Sequence, residues 1–577
     1  MNKLAAAARG EIPAELVIHN ARIANILTQS YELADVAIQS GKIAGIAEHY
    51  EGDKNFDASG RVLIPSFIDG HVHIEDTFMT PPNFAKIAAI HGTGSVFADP
   101  HEISNALGLA GLEFMFAASL NRPINIFFGA PSCVPASEFE TPYEELDINA
   151  IKAMFDKNLV THLGEMMNFP AIISGDSDAW AKVLLAGKLP VTGHAPGVSG
   201  KALNAYISAG ISSDHECTDL NEAREKLSRG MFIMIREGSS FRDLKTLLPL
   251  IRENPLNACR CMIVSDDITA RDLLTNGHMD YKLRIMLREG INPFVALRMI
   301  TLTPAEYFRV YNLGLIAPGY NADFVLLGGS EINEDFTVNE VWKDGRLIVR
   351  DKDVFDVIDE TEHLAPVIKT RVKNIPSESQ IRIPVSEHEG ELINVIGITE
   401  GTTITKTLNL VPKVREGFVV PDPDNDVAKI AVLERHRDTG QFAAGFVKGL
   451  GIRRGAIGSS VAHDAHNFVA AGSDDESIIT AFKALAEIGG GLVITEGKNV
   501  IASFGLPIGG LMCYLPPEKI AAELANMESQ AENFGVKIPH PFMVLSFLCL
   551  SVIPELRITD QGYIDITKGG RQDIFVR

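Results

Sequence analysis

Long apolar runs and paired cysteines are both missing from this 577-residue chain. No stretch of about 18 uninterrupted apolar residues occurs, so the sequence predicts no membrane-spanning helix. The most apolar segment, FMVLSFLCLSVI at 542–553, is too short to cross a bilayer and is expected in the core. The six cysteines are scattered without any CxxC pair. This spacing disfavours a zinc knuckle and a disulfide framework.

Positive charge is also scarce. The chain has 52 lysines and arginines against 74 acidic residues, a formal net charge of −22. Nucleic acids and anionic membranes attract cationic surfaces, so we expect neither as a partner. The apolar run near the N-terminus is too short for a signal-peptide core and acidic residues follow it, so we expect a cytoplasmic location.

Apolar strand-like runs alternate with helix-like segments after about residue 62. The eight runs are VLIPSF (62–67), GSVFAD (94–99), INIFFGA (124–130), LVTHLGE (159–165), LPVTGHA (189–195), ISSDHE (211–216), MFIMIRE (231–237) and CMIVSDD (261–267). Between them, apolar residues recur every three or four positions, as in amphipathic helices. Eight β–α units over roughly 250 residues are typical of a (β/α)8 barrel. We therefore predict an α/β fold with a TIM-type barrel over residues 66–312.

The flanking segments predict two further domains. Residues 1–65 and 313–351 alternate apolar and polar residues in short runs, and we expect them to pair in one small β domain split by the barrel. A Lys-Asp-Gly-Arg turn lies at 343–346. Residues 352–370 form a charged connector. Residues 371–577 mix strand-like runs with two helix-like segments and predict a C-terminal α+β domain.

Side chains that can bind metal follow the predicted barrel strands. They are His71 and His73 after strand 1; Asp99, His101 and Glu102 after strand 2; Glu165 on strand 4; His194 on strand 5; His215 and Glu216 on strand 6; and Asp266 and Asp267 on strand 8. The C-terminal ends of barrel strands meet at one face, where active sites form. A single histidine is more often structural, but this set predicts a metal centre at that face.

The ligand types indicate the chemistry of this centre. Four imidazoles and two carboxylates can hold two divalent cations, since neutral imidazole suits Zn, Fe or Mn and carboxylates can bridge. A bound metal lowers the pKa of water from about 15.7 towards about 7. A hydroxide then forms near neutral pH and attacks a polarised sp² carbon. The sequence therefore predicts metal-assisted hydrolysis of a C–N bond, by amide cleavage or by deamination.

Taken together, these segments resemble the adenine deaminase family of the amidohydrolase superfamily, over nearly the whole chain. The resemblance is carried by FIDGHVHIED, VFADPHEISNALG, APSCVP, LGEMMNFPAII, TGHAPGVSGKALNAYISAGISSDHE, IVSDDITARDLL, NGHMD, GFVKGLGIRRGAIGSSVAHDAHNFVAAG and LPIGGLM. Two positions depart from the family pattern. The family commonly reads H-I-E-S-S from the second histidine, where this chain reads His73-Ile74-Glu75-Asp76-Thr77. After SDD it commonly has a basic or polar pair, where this chain has Ile268-Thr269.

The resemblance implies hydrolytic deamination of a purine base, adenine, to hypoxanthine and ammonia by attack at C6. It implies two divalent cations, Mn²⁺ or Fe²⁺ with Zn²⁺ as a further candidate. The implied ligands are His71, His73, Glu165, His194, His215 and Asp266. Glu165 bridges the cations and Asp266 also shuttles the proton. His101, Glu102 and Glu216 are candidates for protonating a ring nitrogen, and Asp99, His101 and Glu102 for holding a further cation or the substrate.

Alternatives stay open at this point. The chain could be an amidohydrolase acting on another aminopurine or on a cyclic amide, or a catalytically silent scaffold, which the intact ligand set disfavours. His436, His463 and His466 form either a polar turn or inter-domain contact, or a lid or base-recognition loop over the barrel mouth. We expect a homodimer or a higher homo-oligomer.

Overall fold

The structure is a computed structural model that describes residues 2–355, 372–388, 390–399 and 401–576. It has an α/β fold with both parallel and antiparallel sheets. Most of the predicted connector, 356–370, lies outside the described residues. Its beginning is a short strand, Asp353–Val354, at the edge of the first sheet. Within the described part of the chain, no helix combines the length and the apolar character needed to cross a bilayer.

A nine-stranded sheet combines N-terminal strands with strands from 324–354. Its strands are Leu16–Asn25, Ser30–Gln39, Lys42–Ala47, Asn55–Asp57, Val62–Pro65, Phe324–Leu327, Val338–Lys343, Arg346–Arg350 and Asp353–Val354. The short helix Asn2–Ala8 precedes them. Val62–Pro65 pairs with the first strand on one side and with Phe324–Leu327 on the other. At the predicted turn, Asp344 and Gly345 have φ of 48° and 71°, as a type I′ hairpin requires.

Eight further strands run parallel to their neighbours in two sheets. In chain order they are Phe67–Val72, Thr93–Ala98, Asn125–Ala130, His162–Met166, Val191–Gly193, Ser213–Asp214, Phe232–Arg236 and Cys261–Val264, and we call them parallel strands 1 to 8. Strands 1 to 5 form one sheet and strands 6 to 8 form the other. The edges of the two sheets touch, since the backbone N–H of Asp266 donates to the carbonyl of His71 at 3.0 Å.

The prediction of one strand over VLIPSF at 62–67 is wrong. Val62–Pro65 belongs to the nine-stranded sheet, whereas parallel strand 1 begins at Phe67. The backbone N–H of Ser66 donates to Asp323, and that of Phe67 donates to Gly92, so the chain changes sheets here. An apolar run indicates burial but does not indicate which of two buried sheets a strand joins. His71 consequently lies inside strand 1 rather than after it.

Helices connect the parallel strands and follow the last of them. They are Pro81–Ile90, His101–Ala118, Ile148–Asp156, Phe169–Ser174, Ser177–Leu185, Gly200–Ser208, Leu220–Ser228, Leu244–Leu247, Pro249–Glu253, Ala270–Asn276, Met279–Arg288, Pro293–Met299 and Leu302–Tyr307, with 3₁₀ turns at Glu75–Thr77 and Pro255–Cys259. Helix Ile148–Asp156 is typical. Asp147 caps its N-terminus by accepting the N–H of Ala150, and the helix buries Ile151 and Met154.

The C-terminal part is built on an eight-stranded sheet. Its strands are Ile393–Gly397, Lys406–Leu410, Val427–Leu433, Phe442–Lys448, Ala456–Ser459, Phe468–Gly472, Gly491–Glu496 and Asn499–Gly505. The helices are Asp475–Ile488, Pro517–Asn533 and Pro541–Phe547. Smaller elements are the strands Ile383–Pro384, Val414–Arg415, Phe418–Val419, Arg557–Thr559, Gly562–Asp565 and Gly570–Gln572, and 3₁₀ turns at Pro423–Asn425 and Ile566–Lys568. The apolar segment at 542–553 is largely buried, as the sequence predicts.

Candidate metal centre

Glu165 lies at the centre of a buried cluster of histidines. It is the last but one residue of parallel strand 4, with 3% of its surface exposed. Five imidazole nitrogens surround its carboxylate, at 3.0 Å from His194 Nδ1, 3.3 Å from His73 Nε2, 3.3 Å from His215 Nε2, 3.5 Å from His101 Nδ1 and 3.7 Å from His71 Nε2. These histidines come from strands 1, 2, 5 and 6 or the residues that follow them, so the predicted convergence of strand ends is present around Glu165.

Asp266 joins the cluster from the end of strand 8. Its Oδ1 lies 3.3 Å from Nε2 of His71 and 3.2 Å from Nε2 of His73. Two ligands that each lie about 2.1 Å from one cation are separated by about 3 Å, so these spacings suit ligands that share a metal. Overlapping groups around Glu165 and Asp266 could each hold a cation, including His71 with His73 and Glu165, and His71 with His215 and Asp266.

The hydrogen bonds of the imidazole rings also support metal binding at this cluster. Nδ1 of His73 lies 3.1 Å from the backbone oxygen of Asp99. Because a carbonyl oxygen only accepts, Nδ1 carries a proton, and Nε2 is then the nitrogen that the neutral ring can offer to a cation. Nε2 of His71 is buried and has no hydrogen-bond partner among the described residues. The residues present therefore fit a pair of divalent cations.

The electrostatic environment keeps the two central carboxylates ionised. Burial raises the pKa of Glu165, but the charge on His215 and hydrogen bonds from the surrounding histidines hold it well below its usual range. Burial likewise opposes ionisation of Asp266, and His215, His71 and His73 together hold its pKa well below normal. Burial raises the pKa of four carboxyl groups beside the cluster, those of Glu75, Asp76, Glu102 and Asp267.

Parallel strand 2 supplies Asp99, His101 and Glu102, and these three residues have different neighbours. Oδ2 of Asp99 accepts the backbone N–H of Glu165 at 2.7 Å, so this carboxylate fixes strand 4. His101 contacts Asp99 and Glu165 through Nδ1. Oε1 of Glu102 lies between two rings, 4.0 Å from Nδ1 of His73 and 3.5 Å from Nδ1 of His463. His162, the first residue of strand 4, is buried and packs against Phe308 in the core.

Arg236 is a site residue that sequence reasoning missed. It ends parallel strand 7 and is 1% exposed. Its Nη1 donates to Oε1 of Glu216 and, at 3.2 Å, to Oδ2 of Asp266, while its Nε donates to Asp243 at 3.1 Å. This one guanidinium therefore joins carboxylates that follow strands 6 and 8. An arginine at the end of an apolar run has no signal of its own in the sequence, because such residues are usually exposed.

A buried ion pair holds the two short strands that carry His194 and His215. Oδ1 of Asp214 accepts the backbone N–H of Ala195 at 2.7 Å, and Oδ2 pairs with Nζ of Lys226 at 3.0 Å. Nζ of Lys226 also donates to the carbonyl of Ala195 at 2.7 Å. Since Ala195 and Asp214 are chain neighbours of the two histidines, this pair fixes their positions. Lys226 lies on helix Leu220–Ser228 and was not identified from the sequence.

The C-terminal part contributes residues to the same site. His463 and His466 lie in the turn between strands Ala456–Ser459 and Phe468–Gly472, and both rings face Glu102, at 3.5 and 3.8 Å. The turn that the sequence allows here is present, and it lets both rings converge on one carboxylate. Thr403 donates to Glu216 at 3.3 Å. His436 lies outside the cluster, with Nε2 2.6 Å from the carbonyl of Ala465.

The fold and the site define the class of this protein as a metal-dependent amidohydrolase, and the amidohydrolase family matches residues 62–348. The adenine deaminase C-terminal domain matches residues 402–570. An adenine deaminase from Kosmotoga olearia is 40% identical and covers 99% of this chain and 98% of its own length. Adenine deaminase 2 from Carboxydothermus hydrogenoformans is 41% identical over 97% of both chains. The chain belongs to the adenine deaminase family.

Solved structures that are similar to part of this chain share less of its sequence. The L-hydantoinase from Arthrobacter aurescens is 14% identical, covers 59% of this chain and 98% of its own length, and has a TM-score of 0.47. A β-aspartyl dipeptidase from Fervidobacterium islandicum is 20% identical, covers 60% of this chain and 98% of its own length, and has a TM-score of 0.44.

Proposed function

We propose that this chain hydrolyses adenine to hypoxanthine and ammonia at the cluster around Glu165. The observation that carries the proposal is the set of five imidazole nitrogens and Asp266 around one buried carboxylate, in a chain whose relatives of nearly equal length are named adenine deaminases. Two divalent cations, Mn²⁺ or Fe²⁺ with Zn²⁺ as a further candidate, would be held by His71, His73, Glu165, His194, His215 and Asp266. When bound, such cations lower the pKa of water and polarise the reacting carbon.

Asp266 is the proposed proton carrier of the reaction. Its Oδ1 faces His71 and His73, and its Oδ2 accepts a hydrogen bond from Arg236. The carboxylate is held ionised, as a base must be. It would take a proton from the attacking water and return it to the departing amino group, which leaves as ammonia.

Glu102 is the proposed donor to a ring nitrogen, in preference to His101 and Glu216. Both oxygens of Glu216 already accept hydrogen bonds, from Arg236 and from Thr403, so this carboxyl group is occupied within the protein. Neither oxygen of Glu102 has a hydrogen-bond partner among the described residues, and burial raises its pKa. A protonated Glu102 can donate to a ring nitrogen, and this protonation makes C6 more electrophilic. His101 would position Glu165 instead.

The two parallel sheets would be the halves of one closed (β/α)8 barrel over residues 66–312. The contact between strands 8 and 1 supports closure at one edge, and the hydrogen bond from Ser212 N–H to the carbonyl of Val191 at 3.0 Å supports it at the other. Residues 1–65 and 313–351 would form the split β domain, 352–370 the connector and 371–577 the C-terminal α+β domain. The shared nine-stranded sheet supports the first of these assignments.

We further propose a homodimer or higher homo-oligomer in the cytoplasm. Strand Asn499–Gly505 lies at an edge of the C-terminal sheet and leaves Val500 and Ile501 more than two-fifths exposed, which suits a contact between copies. All six cysteines are free thiols in the structure, which suits a reducing compartment. Light scattering of the purified protein tests the first proposal, since a monomer mass of 62.6 kDa would contradict it.

The experiment that tests the function is metal-dependent turnover of adenine. The purified protein is stripped of metal and reconstituted with Mn²⁺, Fe²⁺ or Zn²⁺ in parallel. Conversion of adenine to hypoxanthine is followed by ultraviolet absorbance and by ammonia release. We expect activity only after metal is restored. Full metal loading without adenine turnover would contradict the proposed substrate, and a panel of other aminopurines and cyclic amides would then identify the alternative.

A further inference from the structure

One turn of the C-terminal part forms a wall of the cavity beside the metal centre. His463 and Asp464 are 3% and 1% exposed. With Phe547 and Leu550, they line a cavity whose other walls include Glu102 and the Glu165 cluster. No role in the reaction described so far uses these four C-terminal residues.

We propose that this turn is the base-recognition half of the site. His463 and Asp464 contact the polar edge of the purine, and Phe547 and Leu550 pack against its apolar surface. The inference rests on the proposed function, because it names the residues that select the base on which the cluster acts. The C-terminal region then completes the substrate site rather than only covering it.

The turn is held in place from several directions. The backbone N–H of His463 donates to Ser546 at 3.1 Å, and the side-chain amide of Asn467 donates to the carbonyl of Thr141 at 3.0 Å. The ring of His436 contacts the carbonyl of Ala465. A surface that is already fixed before ligand binding loses little conformational entropy on binding, so these contacts suit a preformed recognition site.

Several buried polar atoms around the cavity are unsatisfied within the protein. Oδ2 of Asp464, Nε2 of His463 and both oxygens of Glu102 have no hydrogen-bond partner among the described residues. Among the described residues, the nearest ion-pairing group to Oδ2 of Asp464 is Nε2 of His101, at 3.4 Å. A buried polar group left without a partner costs about 1–3 kcal/mol. These atoms therefore match a ligand that brings several N–H donors and ring acceptors into a small space.

The charge and shape of the lining define the ligand class. Phe547, Leu550 and Met167 supply apolar surface, and the polar groups supply an edge. Among the described residues that line the cavity, none is a lysine or arginine that could pair with a phosphate. The lining therefore suits an uncharged planar nucleobase.

Adenine binding and turnover are measured together on the reconstituted enzyme and on three variants, Asp464→Asn, His463→Gln and Phe547→Leu. His388→Gln is the matched control, since this histidine also belongs to the C-terminal part but contacts Glu391 and Phe575 away from the cavity. Calorimetry with adenine gives Kd, kinetics give kcat and KM, and metal analysis gives the cation count. Melting temperature identifies any variant that folds poorly.

We expect each cavity variant to raise Kd and KM for adenine by roughly 10- to 100-fold, the effect of losing one ligand contact in a buried site. Cation count and melting temperature should match those of the control. Unchanged Kd and KM in the Asp464 and His463 variants would overturn the inference, as would loss of a bound cation from those variants. A parent enzyme that binds adenine without hydrolysing it would contradict the proposed function alone. An enzyme that neither binds nor hydrolyses adenine would contradict both.

Discussion

The oxygens of the two central carboxylates have different neighbours, and this difference supports the separate roles proposed for them. Both oxygens of Glu165 face imidazole nitrogens, as a carboxylate between two cations should. Oδ1 of Asp266 lies close to His71 and His73, whereas its Oδ2 accepts a hydrogen bond from Arg236. Residues of the same chemical type in one cluster are therefore distinguished by the partners of single atoms.

Glu165→Gln should remove metal and activity together. An amide cannot supply the negative charge between two cations, but it keeps the shape of the side chain, so the fold should remain. Metal analysis, adenine turnover and circular dichroism check this expectation. Glu237→Gln is the matched control, since Glu237 is also buried but its carboxylate accepts the backbone N–H of Leu244. Normal activity in the Glu165 variant would rule out the bridging role.

Replacement of Arg236 should reduce kcat far more than it affects metal binding. Arg236→Lys keeps a positive charge but cannot contact Glu216, Asp266 and Asp243 at once. We expect kcat to fall roughly 100-fold, the scale associated with a misplacement of about 1 Å at a reacting group. The cation count should stay at the parent level. Arg242→Lys, at a more exposed arginine paired with Asp272, is the control. An unchanged kcat would show that Asp266 does not need this partner.

The elements that carry His194 and His215 are unusually short. Parallel strands 5 and 6 are only Val191–Gly193 and Ser213–Asp214. Strands of three and two residues offer few backbone hydrogen bonds, so side chains must define their ends. Asp214 and Lys226 do this from inside the protein, because they bond to each other and to both backbone groups of Ala195.

Lys226→Met should destabilise the protein by about 3–5 kcal/mol, because it leaves Asp214 as an uncompensated buried charge. It should also weaken metal binding by roughly 10- to 100-fold through His194 and His215. Denaturant unfolding and metal titration measure these effects. Lys152→Met, which removes an exposed ion pair with Asp156, should change neither. Equal stability of the Lys226 variant and the parent would contradict the role of this pair.

The difference in unfolding free energy between the parent protein and Lys226→Met should depend on pH. Burial alone would raise the pKa of Asp214, but the Lys226 ammonium and other favourable contacts lower it to about 2. This value lies below the pKa of about 3.9 in an unfolded chain. The stabilisation is therefore complete above pH 4 and is lost as pH falls towards 2. Unfolding midpoints of parent and variant should converge over that range, and a constant difference would contradict the assignment.

At the scale of the whole molecule, the site is a meeting point of distant parts of the chain. The cavity beside the metal centre is lined by residues from His73 to Leu550. A cation that binds there holds several strand ends together, and it binds the folded protein in preference to the unfolded chain. Metal binding is consequently coupled to the stability of the whole fold.

Removal of metal should lower the melting temperature. A ligand present at 100 times its Kd stabilises the folded state by about 2.7 kcal/mol, so chelation should produce a clear downward shift that Mn²⁺ reverses. Calorimetry on parent protein and on Glu165→Gln checks this expectation. The variant should show little response to either treatment. If chelation left the melting temperature of the parent protein unchanged, the buried cluster would not hold a cation.

Much of the site was predictable from local pattern. The residue types, their positions after apolar runs and the alternation of strands with helices all follow from short segments of sequence, and they predicted the histidines and carboxylates that meet around Glu165. Arg236 and Lys226 were not predictable in this way. Each is a single basic residue at the end of a run or on a helix, and nothing in its own segment distinguishes it from an exposed cation.

The sequence by itself determined the chemistry of this protein, because ligand type and order along the chain are local properties. Only the tertiary structure decided which sheet receives Val62–Pro65, which carboxylates share Arg236, and that the turn carrying His463 and Asp464 closes the cavity. Hydrophobic periodicity indicates that a surface is buried but carries no information on its partner. That partner is selected by the packing of segments far apart in the chain.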